Sequence, residues 1–308
     1  MDGVTFEEYE RDVAGNLQTL HERLKNGKYQ AQPLRRVYIL KENGKQRPIS
    51  IPALEDKIMQ KATVEILNAI YEQDFLNCSY GFRPGRGQHQ ALDEVRRVIC
   101  TRPTEWILEI DITAYFDSIV RTQLMEMIEK RVRDGSVLRL IRKWIQVGVI
   151  EEGRLLMSET GTGQGQTISP LLANIYLHGV LDEWFENEVK PRLRGVAHEI
   201  RFADDAVLGF QYKEDAEKVM ELLLKRFTKY GLTLHPEKTR LVEFGALRRG
   251  KCKKRVRNHA LWISSASRTS ATHSWKRDDL EEICSHPTEH PRLLPRIFHP
   301  WRSAESHV

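Results

Sequence analysis

Two adjacent acids, Asp204 and Asp205, interrupt an apolar stretch, Ile200-Arg201-Phe202-Ala203-Asp204-Asp205-Ala206-Val207-Leu208, and this limits what the chain can fold into. Each flank has strand composition, so the pair reads as the tip of a tight hairpin inside a sheet. Neighbouring carboxylates repel: two unit charges about 4 Å apart at an effective dielectric near 20 interact by roughly 4 kcal/mol. An apolar setting for such a pair requires exposure at a turn or a bound cation. A solvated Asp-Asp turn is the plain alternative.

A second acidic position bears on that choice. Glu105-Trp106-Ile107-Leu108-Glu109-Ile110-Asp111-Ile112 reads as a strand. Trp106, Leu108 and Ile110 fall on one face, and Ile107, Glu109 and Asp111 on the other. The strand ends at Asp111 and leads into Thr113-Ala114-Tyr115-Phe116-Asp117. An acid at a strand end and an acidic pair at a hairpin tip converge if the two strands are neighbours. Three carboxylates then form an oxygen-rich site suited to Mg²⁺, which keeps waters or substrate phosphates in its other positions. Two such ions about 4 Å apart can hold an attacking 3′-oxygen and a leaving pyrophosphate in line, the chemistry of polymerases and nucleases.

The remaining sequence fits a mixed fold. At 308 residues and 40% hydrophobic content, the chain can hold one large domain or two smaller ones. No apolar run is long enough to span a bilayer, and Met1-Asp2-Gly3-Val4 opens no signal peptide. Cys78, Cys100, Cys252 and Cys284 are scattered without a Cys-x-x-Cys pair, which indicates neither a disulfide framework nor a structural zinc site and fits a reducing cytoplasm. The net charge of +5 favours a polyanionic partner. Its distribution says more: Arg248, Arg249, Lys251, Lys253, Lys254, Arg255 and Arg257 crowd one short stretch without an acid.

Thr5 and Glu8 form a capping box, and Phe6, Tyr9, Val13, Leu17, Leu20 and Leu24 give a helical stripe ending near Gly27. Residues 34–40 and 46–51 read as strands around Asn43-Gly44, with Pro48 placing the second at an edge. Helices are expected over about 54–74, 88–100, 121–133, 136–147 and 213–230, with a small hairpin around Gly153. Ser169-Pro170 reads as a cap and first-turn proline ahead of Leu171, Leu172, Ile175, Tyr176 and Trp184, and Gly231 as the stop of the later helix. Strands and helices alternate irregularly, which predicts α+β rather than a doubly wound parallel sheet.

Several ordered blocks resemble the reverse transcriptases encoded by bacterial group II introns, the intron-maturase family. They are Lys41 to Pro52, Ser79-Tyr80-Gly81-Phe82-Arg83-Pro84-Gly85-Arg86-Gly87, Asp111 to Phe116 and Gly161-Thr162-Gly163-Gln164-Gly165. Ile168 to Asn174, Phe202-Ala203-Asp204-Asp205 and Gly231 to Thr239 follow. The resemblance implies a right-hand polymerase core of fingers and palm over residues 1–245, with an antiparallel palm sheet flanked by helices. Residues 246–308 then form a basic and irregular tail. Six of the eleven histidines lie in that tail, among Pro287, Pro291, Pro295 and Pro300, and neither a Phe-Leu-Gly-Phe-like turn nor a helical thumb is recognisable. A truncated or frame-shifted gene is the expectation, with low processivity as its consequence. Cys284, His286 and His290 are read there as a chance grouping.

The same resemblance implies roles. Asp111 and Asp204 bind both Mg²⁺ ions (Mn²⁺ as the alternative occupant), Asp205 supports them, and the Ile112 carbonyl adds a ligand. Lys45 and Arg47, with Lys41 on the same hairpin, meet the triphosphate of a dNTP, where an Arg fork suits phosphate geometry. Phe116 packs under the sugar and excludes a 2′-hydroxyl. Gln164 and Gly165 face the template and the nascent pair, Arg83 and Arg86 touch template or primer backbone, and Lys238 protonates or pairs with the leaving pyrophosphate. One departure stands out. Where the family has Pro-Gln-Gly-Gly, this chain has Gly163-Gln164-Gly165-Gln166, which adds backbone freedom at one end and forbids glycine-only conformations at the other. The implied partners are an RNA template, intron RNA, a DNA primer and dNTPs. A non-catalytic, RNA-binding splicing cofactor is the competing reading, although RNA binding gives no reason to cluster acids. A nucleotide cyclase would need a Gly-Gly-Asp/Glu-Glu-Phe-type block, and a nuclease domain a His-Asn-His cluster; the sequence carries neither.

Overall fold

A computed structural model describes residues 4–40 and 46–243. The Asn43-Gly44 turn, Lys41, Lys45 and the tail after 243 lie outside the described residues. The chain opens with α1 (Phe6–Glu10), whose Thr5–Glu8 capping box is formed, and α2 (Val13–Lys25). The expected stripe is thus split in two, because Asp12 caps a second helix by accepting from the Gly15 amide. Only part of the stripe is used: Tyr9 and Leu20 are buried, whereas Phe6, Val13 and Leu17 are exposed.

Strands β1 (Leu34–Leu40) and β2 (Gln46–Ile51) pair antiparallel, and β2 is the edge strand that Pro48 demanded. Helices α3 (Leu54–Tyr71) and α4 (Gln88–Thr101) precede β3 (Trp106–Ile110). The short α5 (Tyr115–Ser118), α6 (Arg121–Arg131) and α7 (Gly135–Gln146) follow. Next come β4 (Val149–Glu151) and β5 (Arg154–Leu156), joined through positive φ at Glu152 and Gly153. Strand β4 runs parallel to β1, so the small hairpin extends the first sheet to the order β2-β1-β4-β5.

The second sheet has the order β6-β7-β3-β8, every neighbour antiparallel, and is built from β6 (Ala197–Phe202), β7 (Asp205–Phe210), β3 and β8 (Arg240–Glu243). Between the sheets in sequence lies α8 (Ser169–Leu177), buried at Ser169 and from Leu171 through Leu177. A helix apolar on all sides belongs in the centre. Full burial of a Leu such as Leu172 or Leu177, both 0% exposed, is worth about 1.5–3 kcal/mol. Ser169 does not cap this helix; it is the first helical residue, and its hydroxyl donates to the Gly163 carbonyl at 3.0 Å. Two π-helical turns, His178–Asp182 and Phe185–Val189, continue from it. Helix α9 (Lys213–Lys229) covers β3 and β7 with Ala216, Val219, Leu223 and Phe227, and stops at Gly231 with φ +68°. The Leu232 amide reaches back to the Phe227 carbonyl at 2.9 Å, a closing bond open to a chain that turns left-handed at glycine. This is the expected α+β architecture with an antiparallel second sheet. Among the described residues no helix is long and apolar enough to cross a membrane.

Candidate active site

Register brings the acids together. Strand β3 lies beside β7 with Ile110 opposite Ala206, so the next residue, Asp111, continues opposite Asp205. Strands β6 and β7 pair from Phe202 and Asp205 outward, leaving Ala203 and Asp204 as the two-residue tip. Asp205 therefore begins β7 rather than sharing the tip. The carboxylates sense one another. Burial pushes Asp205 up to about 7, with the charges of Asp204 and Asp111 adding to the effect and Lys238 opposing it. Asp204 is raised by burial first and by Asp111 as well, against its own backbone amide, Arg47 and Arg201. A cluster that resists full ionisation is a donor set suited to a hard divalent cation. Glu109, on the same face as Asp111, does not join it: the Arg240 Nε on β8 holds its carboxylate at 2.5 Å.

Asp111 is also anchored from the far side. Its carbonyl accepts from the His235 amide at 2.8 Å, and Lys238 Nζ donates to its Oδ2 at 2.8 Å. The Thr113 amide donates to the Thr233 carbonyl at 2.9 Å, which completes the bridge of Ile112 with Leu234. Carbonyls alternate in direction along an extended chain, so the Ile112 carbonyl points away from the Thr233–His235 segment.

Behind the tip stands a buried network that the sequence reading passed over. Ala203 adopts φ +57°, and a Cβ on Gly81 would come within 2.3 Å of its nitrogen, so Gly81 is what lets the two turns nest. Arg201 Nη1 donates to the Ala203 carbonyl at 2.8 Å and to Asn174 Oδ1 at 3.0 Å. Its Nε and Nη2 form a fork on Asp182 at 2.7 Å each, with both side chains 0% exposed, and Nη2 also reaches Ser79 Oγ at 2.8 Å. Asn174 Nδ2 closes the circuit on the Gly81 carbonyl at 2.7 Å. Only one signal in the sequence could have revealed this: Arg201 occupies a core-facing position of an apolar strand, where a charge needs a buried partner.

Elements from the first sheet face the acids. Gln164, with its amide oxygen turned to Arg47, accepts from that guanidinium's Nε at 3.0 Å and from its Nη2. Arg47 also lies close enough to Asp204 to oppose its rise. The Gln164 carbonyl accepts from the Ser50 amide at 2.6 Å, which fastens the loop to β2. Gly165 has φ +110°, and an added Cβ would sit 2.7 Å from Ile49 Cγ2 and 2.8 Å from the Ser50 carbonyl oxygen. Gly165→Ala is therefore expected to cost about 1–3 kcal/mol of unfolding free energy. Urea denaturation reads this directly, and an unchanged midpoint would show that the loop relaxes freely. Gln166 replaces a family glycine without strain: it has no positive φ, its Oε1 accepts from Gln60 Nε2 at 2.9 Å, and its Nε2 donates to the Trp144 carbonyl at 3.3 Å. Phe116 is half-buried, its ring 5.7 Å from that of Tyr115, and it lines a cleft with Phe82, Ala203 and Asp204.

Arg83 is a correction. Its side chain is 3% exposed and spends its donors on Glu72 and on the carbonyls of Leu76 and Ser79, above the Phe75 ring. It ties a turn together and has no free edge for a nucleic-acid backbone. Arg86 is less enclosed, resting on Tyr80 and bonded to Asn77. Lys45 and Lys41 lie outside the described residues.

Comparison with known proteins places the chain in a family. The profile of the reverse transcriptase (RNA-dependent DNA polymerase) family matches residues 39–275. Protein YkfC of Escherichia coli is 35% identical over 278 residues, covering 78% of this chain and 71% of its own. The group II intron-encoded protein LtrA of Lactococcus lactis is 37% identical over 215 residues, 66% of this chain but only 35% of LtrA. Among solved structures, apo telomerase from Candida tropicalis superposes with a TM-score of 0.55 at 14% identity, over 76% of this chain and 49% of that one. The likeness is one of fold, the mixed architecture of a reverse transcriptase's fingers and palm. With these acids at the end of β3 and the β6–β7 tip, the chain belongs to the reverse transcriptase (RNA-dependent DNA polymerase) family, with group II intron-encoded proteins among its relatives.

Proposed function

We propose that this chain lengthens a DNA primer on an RNA template, in the manner of a group II intron reverse transcriptase, using dNTPs and two Mg²⁺ ions. Mn²⁺ is the alternative occupant. The gathering of Asp111, Asp204 and Asp205 at one end of the second sheet, with Arg47 facing Asp204, is the observation that carries this reading. When bound, the ions supply Lewis-acid stabilisation of the attacking and leaving oxygens. Asp111 and Asp204 would hold them, Asp205 would support the site, and the Ile112 carbonyl would complete the donor set. Arg47 and Lys45 receive the triphosphate, and Gln164 orients Arg47 while Gly165 lets the loop approach β2. Lys238, which donates to Asp111 Oδ2 at 2.8 Å, would stand beside the site to meet the leaving pyrophosphate. Arg86 lies along the template or primer strand.

Phe116, beside Asp204, packs beneath the sugar. Phe116→Val is expected to raise ribonucleotide incorporation relative to deoxynucleotide by on the order of tenfold, since a pocket wall that rejects one hydroxyl is worth about that much. Parallel extension with each nucleotide set measures it, and unchanged sugar selectivity would reduce Phe116 to packing.

Extension of a labelled DNA primer on a poly-ribonucleotide template, with and without chelator, tests the function. Synthesis that requires a divalent cation is expected. Salt-sensitive RNA binding with no extension under any cation would instead favour the splicing cofactor that binds intron RNA without chemistry.

A further inference from the structure

Strand β6 is the outer strand of the second sheet, and its core-side face carries Ala197, Glu199 and Arg201, opposite to the face that carries Asp205. The chain at Cys78 to Tyr80 runs alongside it. The Arg201 amide donates to the Cys78 carbonyl at 2.8 Å, and the Tyr80 amide to the Arg201 carbonyl at 2.8 Å. The first π-helical turn brings Asp182 to the same place. One donor atom each from Cys78, Asp182 and Glu199 lies within 4.8 Å of the others.

Charge is unbalanced there. Arg201 answers Asp182, but Glu199 is 5% exposed, no donor reaches its carboxylate oxygens among the described residues, and burial first and the neighbouring Asp182 next raise its pKa well above the ordinary carboxylate value. A carboxylate in that condition is costly and calls for a proton or a cation. Glu199 and Cys78 line a cavity of about 310 Å³ with Asn77, Tyr80 and His198, room for several waters and an entering ion. Lys190 on the cavity wall is held by Glu186 at 2.7 Å, so it does not answer Glu199.

We propose that Cys78, Asp182 and Glu199 bind one thiophilic divalent cation of the zinc class. A thiolate with two carboxylates selects Zn²⁺ or Cd²⁺ over Mg²⁺. Three protein donors and a solvent position on the cavity side complete a tetrahedron. On binding, the Cys78 thiol and the Glu199 carboxyl, both held protonated by burial, give up their protons to solvent; the resulting thiolate and two carboxylates set three negative charges against the one positive charge of Arg201, and a divalent ion cancels the remainder. The ion clamps the Cys78–Gly81 turn against β6 from behind, on the network that holds Ala203. It is distinct from the cations of the polymerase site, which meet oxygen donors alone.

Titration of the full chain with Cd²⁺, followed by the ultraviolet thiolate-to-cadmium band, tests the assignment. One equivalent is expected to bind, with the band retained in a Cys252→Ser/Cys284→Ser double variant and lost in Cys78→Ser. Glu199→Gln, nearly isosteric, is expected to weaken binding by roughly tenfold or more and to abolish the rise in melting temperature that Zn²⁺ confers on the parent. If Cys78→Ser does not fold, Glu199→Gln carries the test. A band that survives Cys78→Ser, or that vanishes in the double variant, overturns the site. Equal Cd²⁺ affinity in Glu199→Gln and parent also overturns it, and would assign Glu199 a proton shared with Asp182.

Discussion

Asp204→Asn eliminates primer extension while leaving RNA binding within about twofold of the parent, a loss of at least about 10³ in rate, or on the order of 4 kcal/mol. Asparagine keeps the size of the side chain and the shape of the hairpin tip but removes the charge that, on the proposed reading, would hold a cation. Single-turnover extension and filter binding, measured on the same preparation, separate the two effects. A second readout moves the opposite way. Burial and the charge of Asp111 raise the Asp204 pKa, so the folded state holds its proton more tightly than the unfolded chain does. For such a group, stability is greatest at low pH and declines as pH rises from the ordinary carboxylate value through the raised one. In chelator near pH 8, Asp204→Asn should therefore melt higher than the parent. Activity lost together with stability gained is the signature of a site strained for function. Extension by Asp204→Asn at near-parental rate would end the two-metal reading.

Arg201→Met lowers unfolding free energy by about 3–5 kcal/mol, because it strands a buried carboxylate on Asp182 and leaves the Ala203 carbonyl, Asn174 and Ser79 without a donor. Asp182→Leu costs a similar amount from the other side. The double variant is expected to recover much of the loss, since an apolar pair of similar volume often does as well as a buried ion pair. The three measurements form a cycle whose coupling exceeds about 2 kcal/mol, and urea denaturation supplies each corner. Extension does not recover with stability, because no side chain then holds the Ala203 carbonyl behind Asp204. A fall of under about 1 kcal/mol for Arg201→Met would mean that solvent reaches the network.

The placement of the acids was legible because its signals are local. Alternation over Trp106 to Asp111 and apolar runs on either side of Asp204-Asp205 are properties of short segments, and both strands formed where those patterns lie. Gly231 stopped its helix for the same reason: the left-handed turn it makes depends on its own missing Cβ. Side-chain partners are another matter. Nothing local distinguishes Arg83, which folds onto Glu72, from Arg86, which stays nearer the surface, since both sit in one turn. Glu109 and Asp111 share a face and both carry carboxylates, yet Arg240 claims the first.

Residue order alone specified the α+β class, most helix and strand positions, the three acids and the edge placement of β2, because periodicity, capping and turn chemistry act over a few residues. Tertiary structure alone decided that β4 joins β1 in parallel, that Arg201 and Asp182 bury a mutual charge behind the hairpin, and that Gln166 finds Gln60. Those outcomes depend on which distant surfaces meet and on how each buried charge or amide is satisfied once water has left, and no window of sequence contains both halves of that encounter.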